Sequence, residues 1–331
     1  MRRYCSNTMI EDRRVIVTCF AGRRENLEIL MPLLDRLQQA GHVDEVHLWD
    51  FTRQQEDARW LRARYPMAEH VVRLATTATA RPVTSGRHTS TETMLKRALP
   101  VPQFVSIATE QPATIVVMPV CDKQTWSEYY RHYTPERFPS SVVVKVDDDI
   151  AFLDADGFPN FVRTKIHRRN DLLAFASIVN NGVCGHYQQR AGLLPVADVG
   201  IMPYEPLGGK LWSSGTVAQR LHGYFLDNAK DFVEKSRGLP DPVVQHPAGH
   251  RLSINFFAIL SEDLGLFQAV GTDDEHDLTV TLPPRFGRAH YVDMSMVVAH
   301  LGFYRQRATG LDEAALRPRY AQLSALPSLA T

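Results

Sequence analysis

The N-terminal part of the chain alternates β-branched runs with one segment of helical periodicity. Residues 15–20 are mostly β-branched and precede a small-residue pair, which predicts a first strand. An amphipathic helix is expected next, ending near Gly41, because apolar residues recur at three- and four-residue spacings: Leu27, Leu30, Met31, Leu34 and Leu37. Pro32 lies inside this pattern and predicts a kink or a later start. With residues 45–50 as a second strand, the segment predicts a parallel βαβ unit.

Further apolar runs predict a sheet that continues into the second half of the chain. Strands are expected at residues 114–118, 142–146, 253–260, 278–282 and 291–299. Residues 76–92 are rich in Thr, Ser and Gly and predict an exposed loop. The expected fold class is α/β, with a Rossmann-like, mixed and mostly parallel sheet flanked by helices. All 331 residues are expected to form one domain, with halves at about 12–155 and about 156–310 and a C-terminal tail at 311–331.

Composition narrows the functional classes without selecting one. Lys and Arg together number 37, as do Asp and Glu, so the formal net charge is zero. This balance excludes the basic footprint of a dedicated nucleic-acid binder. The four cysteines have no paired spacing and indicate isolated thiols in a reducing compartment: Cys5, Cys19, Cys121 and Cys184. The N-terminus is polar and no window is apolar enough to span a bilayer, so a cytoplasmic protein without a transmembrane segment is expected.

Three consecutive carboxylates follow one of the most apolar runs in the chain. Residues 142–146 lead directly into Asp147, Asp148 and Asp149. If the strand continues, Asp147 and Asp149 share a face with Lys145 while Asp148 points the other way. Ligands of open α/β sheets bind beyond the carboxyl ends of strands, and adjacent acids need a compensating charge, for which Mg²⁺ or Mn²⁺ is suited. The alternative is that the acids cap the next helix or lie in a solvated turn.

The segment K-V-D-D-D-I-A-F-L-D, residues 145–154, resembles the D-x-D region of nucleotide-sugar-dependent glycosyltransferases with the GT-A fold, and its first part is similar to that of β-1,3-galactosyltransferase-like enzymes. The resemblance implies a GT-A type fold whose first half binds the nucleotide sugar and whose second half binds the acceptor. It implies that Asp149, helped by Asp147, holds Mn²⁺ or Mg²⁺ on the donor diphosphate. Asp148 would then meet the ribose or the sugar, and Lys145 belongs to the same donor-binding segment.

The same resemblance places the donor nucleotide against the loop after the first strand and the end of the second. The residues concerned are Thr18, Phe20, Ala21, Gly22, Arg23 and Asp50. Phe20 would contact the base, Arg23 the diphosphate, and Asp50 the base or ribose. Alternatively, Asp50 caps a turn and Arg23 begins the helix in solvent. His300, at the end of a late apolar run, is the candidate additional metal ligand or else a structural histidine; His222 and His246 are weaker candidates.

A second acidic cluster and several aromatic residues complete the candidate site. An inverting transferase needs a carboxylate to accept the proton of the attacking hydroxyl, and Asp274 or Glu275, with Asp273 third, is the candidate base. The alternative is a solvated loop. Trp126 and Trp212 are candidate sugar-stacking residues of the acceptor site, although such aromatics also pack loops onto a core. Asn181 lies in an Asn-Asn-Gly turn and is a candidate to bind an acceptor hydroxyl.

The sequence therefore predicts a metal-dependent glycosyltransferase that moves a sugar from a nucleoside-diphosphate sugar to a carbohydrate or another hydroxyl acceptor. One alternative is a Mg²⁺-dependent phosphohydrolase or nucleotidyltransferase that uses the same three carboxylates. Another is a non-catalytic protein that binds sugars or nucleotides.

Overall fold

The computed structural model describes residues 10–67, 114–120, 126–206 and 208–326. The predicted loop at 76–92 lies outside these residues. In the first half, the strands are β1 (Arg14–Ala21), β2 (Glu45–Asp50), β3 (Thr114–Met118), β4 (Ser141–Asp147) and β5 (Ile150–Leu153). The helices between them are α1 (Arg24–Gln39), α2 (Gln55–Arg64) and α3 (Ser127–His132). The predicted βαβ unit is confirmed, and Pro32 lies within α1 without marking its start.

The second half contains more helix than the sequence pattern indicated. Its strands are β6 (Ala174–Val179), β7 (Val243–His246), β8 (Phe256–Leu260) and β9 (His290–His300). Its helices are α4 (Phe158–His167), α5 (Gly182–Arg190), α6 (Val196–Val199), α7 (Gly209–Ser213), α8 (Gly215–Asp227), α9 (Ala229–Arg237), α10 (Asp274–His276), α11 (Leu282–Phe286), α12 (Tyr304–Ala308) and α13 (Glu313–Ser324). A 3₁₀ segment, Ser261–Ala269, follows β8, and a π-helical segment, Asp277–Thr281, joins α10 to α11.

One nine-stranded sheet takes strands from both halves, in the order β3-β2-β1-β4-β8-β6-β9-β5, with β7 pairing with β9. Strands β1 to β4 are mutually parallel where they pair, and β6 is parallel to β9. Strand β8 is antiparallel to β4 and to β6, so β4, β6 and β9 run in the same direction. The predicted fold class is confirmed: the molecule is α/β, with a Rossmann-like, mixed and mostly parallel sheet flanked by helices.

This topology brings distant segments to one edge of the sheet. Because β1, β4, β6 and β9 share a direction, their carboxyl ends lie at the same edge, where ligands of open α/β sheets bind. The amino end of the antiparallel β8 lies there too. The residues that follow or precede these strands, from Gly22 to His300, therefore meet although they are far apart in sequence.

Two predicted strands need correction. The predicted strand at 278–282 is wrong, because these residues belong to the π-helical segment and to α11. Asp273 accepts a hydrogen bond from the backbone amide of His276 and so starts a helical turn, and Pro283 and Pro284 suit the first turn of the next helix. Of residues 253–260, only Phe256–Leu260 forms a strand.

The C-terminal tail is helical over α13 and packs on α1 and β5. Arg317 donates to Asn26 Oδ1 at 3.1 Å, and Arg36 donates to the carbonyl of Ser324 at 2.6 Å. These bonds tie the tail to the first helix of the sheet. Cys19 and Cys184 are buried free thiols, while Cys5 and Cys121 lie outside the described residues. Among the helices of the described ranges, none has both the length and the apolar composition needed to cross a bilayer.

Helix α8 offers a test of how tightly the C-terminal segments pack. A Cβ at Gly215 would overlap the backbone of Gln306 and of Leu311, whereas a Cβ at Gly223 would meet nothing within 4 Å. We expect Gly215→Ala to lower the free energy of unfolding by about 3 kcal/mol, because neither backbone segment can move aside without disturbing its own packing. Gly223→Ala, the matched control, should raise it by up to about 1 kcal/mol through helix propensity. Urea unfolding measures both, and similar values for the two variants would contradict this packing.

Candidate functional site

The chain turns within the run of three carboxylates. Strand β4 ends at Asp147, Asp148 and Asp149 form a turn, and β5 begins at Ile150. The condition under which Asp147 and Asp149 would share a strand face, that the strand continues through the acids, is therefore not met. The turn is favoured because the three carboxylates repel one another, and it lets Asp147 point to one set of partners and Asp148 and Asp149 to another.

Asp148 and Asp149 share the guanidinium of Arg23, the residue that precedes α1. Arg23 Nη2 lies 2.5 Å from Asp148 Oδ1 and 2.7 Å from Asp149 Oδ2. The backbone amides of Gly22 and Arg23 also donate to Asp148 Oδ2, at 2.9 and 2.7 Å. A Cβ on Gly22 would lie 3.1 Å from that oxygen, so glycine permits this close approach. Burial raises the pKa of Asp148, and the charge of Arg23 acts in the opposite direction.

Asp147 is held separately, by groups from β4 and from the segment before β8. Lys145 donates from Nζ to Asp147 Oδ1 and, at 2.7 Å, to the carbonyl of Ile254. Asn255 Nδ2 donates to Asp147 Oδ2 at 2.9 Å. Burial raises the pKa of Asp147, while the ammonium of Lys145 works against that rise. Lys145 is thus a buried structural cation whose side chain is only 2% exposed.

One carboxylate oxygen of the turn has no hydrogen-bond partner. Asp149 Oδ1 is buried, accepts no hydrogen bond and lies 3.4 Å from His300 Nε2, at the end of β9. The other ring nitrogen of His300, Nδ1, is also buried without a hydrogen-bond partner. Burial opposes the ionisation of Asp149, but the neighbouring His300 and Arg23 outweigh it and hold the pKa of this carboxyl below its usual range. An ionised oxygen and an imidazole nitrogen therefore face each other in a mostly buried site.

The three carboxylates line a cavity of about 420 Å³, which we call the carboxylate cavity. Its walls are formed by Phe20, Gly22, Arg23, Phe51, Arg53, Gln54, Asp57, Trp126, Asp147, Asp148, Asp149 and Arg307. The predicted donor residues Phe20, Gly22 and Arg23 thus meet the predicted metal ligands. Trp126, predicted on the acceptor side, lies in this cavity too.

Other predicted donor residues are buried behind the cavity. Thr18 is buried and accepts a hydrogen bond from Tyr133, and Ala21 is buried at the end of β1. Asp50 accepts from the backbone amide of Thr52 at 3.2 Å and from Arg62 at 2.9 Å. This is the turn-capping arrangement that the sequence offered as the alternative for Asp50.

A second cavity, of about 280 Å³, brings together the other predicted acceptor residues and one candidate base. We call it the Trp212 cavity; it is lined by Asn181, Gly182, Val183, Glu205, Pro206, Gly208, Trp212, Arg251, Leu252, Ser253, Glu275 and Phe303. Asn181 caps α5, since its side-chain oxygen accepts from the amides of Val183 and Cys184, both at 3.0 Å. The predicted Asn-Asn-Gly turn is confirmed by the positive φ of Asn180, 68°.

The second acidic cluster separates into three different environments. Asp273 is largely exposed, and Arg251 binds it through two nitrogens at 3.0 and 3.2 Å. Asp274 accepts from the hydroxyl of Tyr130 at 2.8 Å, and burial raises the pKa of Asp274 against the opposing charge of Lys145. Glu275 accepts from Arg251 Nε at 2.5 Å and is the member that lines the Trp212 cavity.

The two cavities share a wall formed by the segment after β9. The rings of His300 and Phe303 lie 4.5 Å apart, so His300 faces Asp149 on one side and contacts a lining residue of the Trp212 cavity on the other. A buried amide pair holds this segment. Asn180 Nδ2 donates to Gln306 Oε1 at 3.0 Å, and Gln306 Nε2 donates back to Asn180 Oδ1 at 2.8 Å.

The same two amides bind the backbone on both sides of the wall. Asn180 donates to the carbonyl of Leu301 at 3.1 Å, and Gln306 donates to the carbonyl of Leu211, the neighbour of Trp212, at 2.7 Å. The backbone amide of Leu301 in turn donates to the carbonyl of Asp149 at 2.8 Å. Backbone next to Trp212 is thereby connected to the turn of the carboxylates.

Several residues of the site were missed by the sequence analysis. Arg251 lines the Trp212 cavity, and Arg307 lines the carboxylate cavity. Asn180 and Gln306 hold the wall between the cavities, and Asn255 binds Asp147. Position next to a strand end at the common edge is a signal that could have found Asn180 and Asn255. No signal in the sequence singles out Arg251. His222 and His246 are buried. Each donates from Nε2 to a backbone carbonyl, that of Leu301 or of His250, and each has a tyrosine hydroxyl, Tyr320 or Tyr187, beside Nδ1.

Comparisons with known proteins leave the family of this chain open. No protein-family model matches it. No curated protein matches it in sequence either. Thirteen chains of solved structures match it. One is a CMP:2-keto-3-deoxy-manno-octonic acid synthetase complexed with CTP, at a TM-score of 0.40 and 7% identity, covering 95% of this chain and 100% of that chain. A likeness this distant carries no information on the chemistry.

The amide pair allows a direct test of the wall. Gln306→Ala would leave the Asn180 amide, the Leu211 carbonyl and the Phe303 amide without this partner in the interior. We expect a loss of about 2 to 4 kcal/mol in the free energy of unfolding, since buried polar groups without partners cost about 1 to 3 kcal/mol each and part of the cost relaxes. Gln322→Ala, on the exposed face of α13, is the matched control and should change stability by less than about 0.5 kcal/mol. Equal effects in urea unfolding would show that the wall does not depend on Gln306.

Proposed function

We propose that this protein is a metal-dependent glycosyltransferase of GT-A type, which transfers a sugar from a nucleoside-diphosphate sugar to a hydroxyl acceptor. The observation that carries the proposal is the buried pair Asp149 Oδ1 and His300 Nε2, 3.4 Å apart, beside a cavity that Asp149 lines together with arginines. A site with carboxylates and arginines together suits a ligand that brings both a cation and phosphate groups.

The donor atoms fit a small divalent ion that arrives with further oxygen ligands. Two atoms 3.4 Å apart can both bind an ion whose bonds are about 2.1 Å long. Among the residues that the structure describes, no group of three or more His, Cys, Asp or Glu side chains could hold a metal ion. Mg²⁺ and Mn²⁺ often take only one or two protein ligands and complete their shell with substrate phosphates. When bound, such an ion would stabilise the negative charge of the departing nucleoside diphosphate.

The remaining walls of the carboxylate cavity suit a nucleotide. Arg23, Arg53 and Arg307 offer guanidinium groups, which bind phosphate oxygens with good geometry. The rings of Phe20 and Phe51 lie 4.8 Å apart at the wall and offer an apolar face to a base. Trp126 adds an aromatic face to the same cavity.

The acceptor would bind in the Trp212 cavity. Trp212 and Phe303 supply faces for a sugar ring, and Asn181 and Ser253 supply polar groups for its hydroxyls. In an inverting transfer, the acceptor oxygen forms a bond to the anomeric carbon while the bond from that carbon to the diphosphate breaks. The leaving diphosphate keeps the electron pair, and Glu275 takes the proton of the attacking hydroxyl.

A ligand panel tests the function as a whole. We expect one class of UDP-, GDP-, CMP- or dTDP-sugar to raise the melting temperature in the presence of Mn²⁺ and to have little effect without it. The selected donor, incubated with hydroxyl acceptors, should release its nucleotide: the nucleoside diphosphate from a UDP-, GDP- or dTDP-sugar, and CMP from a CMP-sugar. Release of pyrophosphate would indicate a nucleotidyltransferase, release of phosphate without an acceptor a phosphohydrolase, and Mn²⁺-dependent binding without turnover a binding protein.

Asp149→Asn tests the metal-binding role while it preserves the size of the side chain. We expect Mn²⁺-dependent binding of the selected nucleoside diphosphate to weaken by at least about tenfold in calorimetry, because the amide removes the charge that faces His300. Asp57→Asn removes a carboxylate from α2 at the wall of the same cavity and is the matched control. Equal losses in the two variants, or unchanged binding in Asp149→Asn, would refute the role.

Glu275→Gln tests the assignment of the base. We expect transfer to slow by about 10²-fold or more, the usual contribution of general base catalysis, with unchanged donor affinity. Asp273→Asn is the control, because Asp273 binds the same Arg251 but lies at the exposed side of it. An equal loss in both variants would mean that the arginine, and not the carboxylate of Glu275, is responsible.

A further inference from the structure

Arg23 occupies the position between two carboxylates that a bound cation would neutralise. Its Nη2 bridges Asp148 Oδ1 and Asp149 Oδ2, at 2.5 and 2.7 Å. The side chains of Asp148 and Asp149 are only 6% and 11% exposed, so water does little to stabilise their charges. Without Arg23, two neighbouring buried carboxylates would be left to repel each other.

The surroundings of the two cations at this site differ in a way that bears on their roles. Lys145 is 2% exposed and is fixed by Asp147 and the carbonyl of Ile254. Arg23 is 35% exposed and lines the carboxylate cavity, so its guanidinium has open space to move into. Asp148 would keep the two backbone amides of Gly22 and Arg23 if that guanidinium moved. Asp149 accepts no such amide bond, so its contact with Arg23 can be given up only when another cation takes over the charge of this carboxylate.

We propose that Arg23 is an exchangeable stand-in for the metal ion. In the free protein its guanidinium neutralises Asp148 and Asp149. On loading it would transfer from Asp149 Oδ2 to the phosphate oxygens of the ligand, while an ion held by Asp149 Oδ1 and His300 Nε2 would neutralise Asp149 in its stead. This inference rests on the proposed function and adds a consequence to it. Metal alone must displace a guanidinium that gains no new anion, whereas metal with a diphosphate supplies that anion. Metal and diphosphate therefore bind with positive coupling, and the coupling is reciprocal.

Titrations with Mn²⁺ alone and with Mn²⁺ plus inorganic pyrophosphate test the exchange, because they need neither the nucleotide base nor the acceptor. Free Mn²⁺ is followed by electron paramagnetic resonance in wild type, Arg23→Gln and Arg23→Lys. We expect Arg23→Gln to bind Mn²⁺ alone about tenfold more tightly than wild type and to lose about tenfold of the enhancement that pyrophosphate produces. Arg23→Lys keeps the charge but lacks the planar fork, so it should be intermediate in both.

Arg53→Gln is the matched control, since it removes the same charge from the wall of the same cavity. It should leave the affinity for Mn²⁺ alone within about twofold of wild type, because the charge removed is not the one that bridges the two aspartates. If Arg53→Gln and Arg23→Gln tighten Mn²⁺ binding equally, the effect is one of net charge and the exchange is refuted. Circular dichroism establishes that each variant is folded; should Arg23→Gln fail to fold, an Arg23→Lys variant with wild-type Mn²⁺ affinity would refute the exchange by itself.

The two proposals fail in different ways. Wild-type protein that binds Mn²⁺ and pyrophosphate together, with no change in either property in the Arg23 variants, overturns the exchange and leaves the proposed function standing. Wild-type protein that binds neither Mn²⁺ with pyrophosphate nor any member of the nucleotide-sugar panel overturns the proposed function, and the exchange with it.

Discussion

The compensation of three adjacent carboxylates is the constraint around which this edge of the molecule is arranged. Asp147 ends a buried strand and Asp148 and Asp149 form the turn after it, and their side chains are exposed by only 21%, 6% and 11%, so water does little to stabilise their charges. Lys145 of the same strand neutralises Asp147, and the other partners come from other elements: Arg23 from the residue before α1, Asn255 from the approach to β8, and His300 from the end of β9. A fold that did not bring these segments together would leave a repulsive cluster beside its own core. The electrostatic requirement and the topology of the sheet therefore support each other.

Much of this arrangement follows from patterns that lie close together in sequence. The β-branched run before Gly22, the amphipathic α1 and the apolar β4 are predicted correctly. A strand buried on both faces is apolar throughout, and a helix buried on one side carries an apolar stripe, so each element can be recognised from consecutive residues. The predicted strand at 278–282 was wrong for the same reason: Leu278 and Leu282 are buried, but a short apolar segment fits a helix as well as a strand. What decides between them is the helical start at Asp273 and the two prolines, which lie outside the run.

The partners of the site residues could not be read from the sequence because they depend on pairings across the sheet. Asp50 and Asp148 look alike as acids beyond strand ends, yet Asp50 binds Thr52 and Arg62 within its own neighbourhood, and Asp148 binds residues 125 and 126 positions away. Only strand order determines which of them meets the first helix. Likewise, Gln306 is an ordinary polar residue in sequence and becomes decisive because β6 and β9 are neighbours, which places it against Asn180.

The wall between the cavities suggests why the free protein keeps its acids paired. His300 and Phe303 lie on one short segment, and the backbone amide of Leu301 binds the carbonyl of Asp149. A carboxylate turn that moved whenever its charge was uncompensated would move this segment, and with it one wall of the Trp212 cavity. An internal guanidinium keeps the turn in place before any ligand arrives, so the second cavity retains its shape in the free state. Because that guanidinium is partly exposed while Lys145 is not, the proposed exchange would let the same turn be stable when empty and still accept a cation. Under this proposal, one fixed cation, Lys145, stabilises the free site, and one exchangeable cation, Arg23, makes it ready to bind.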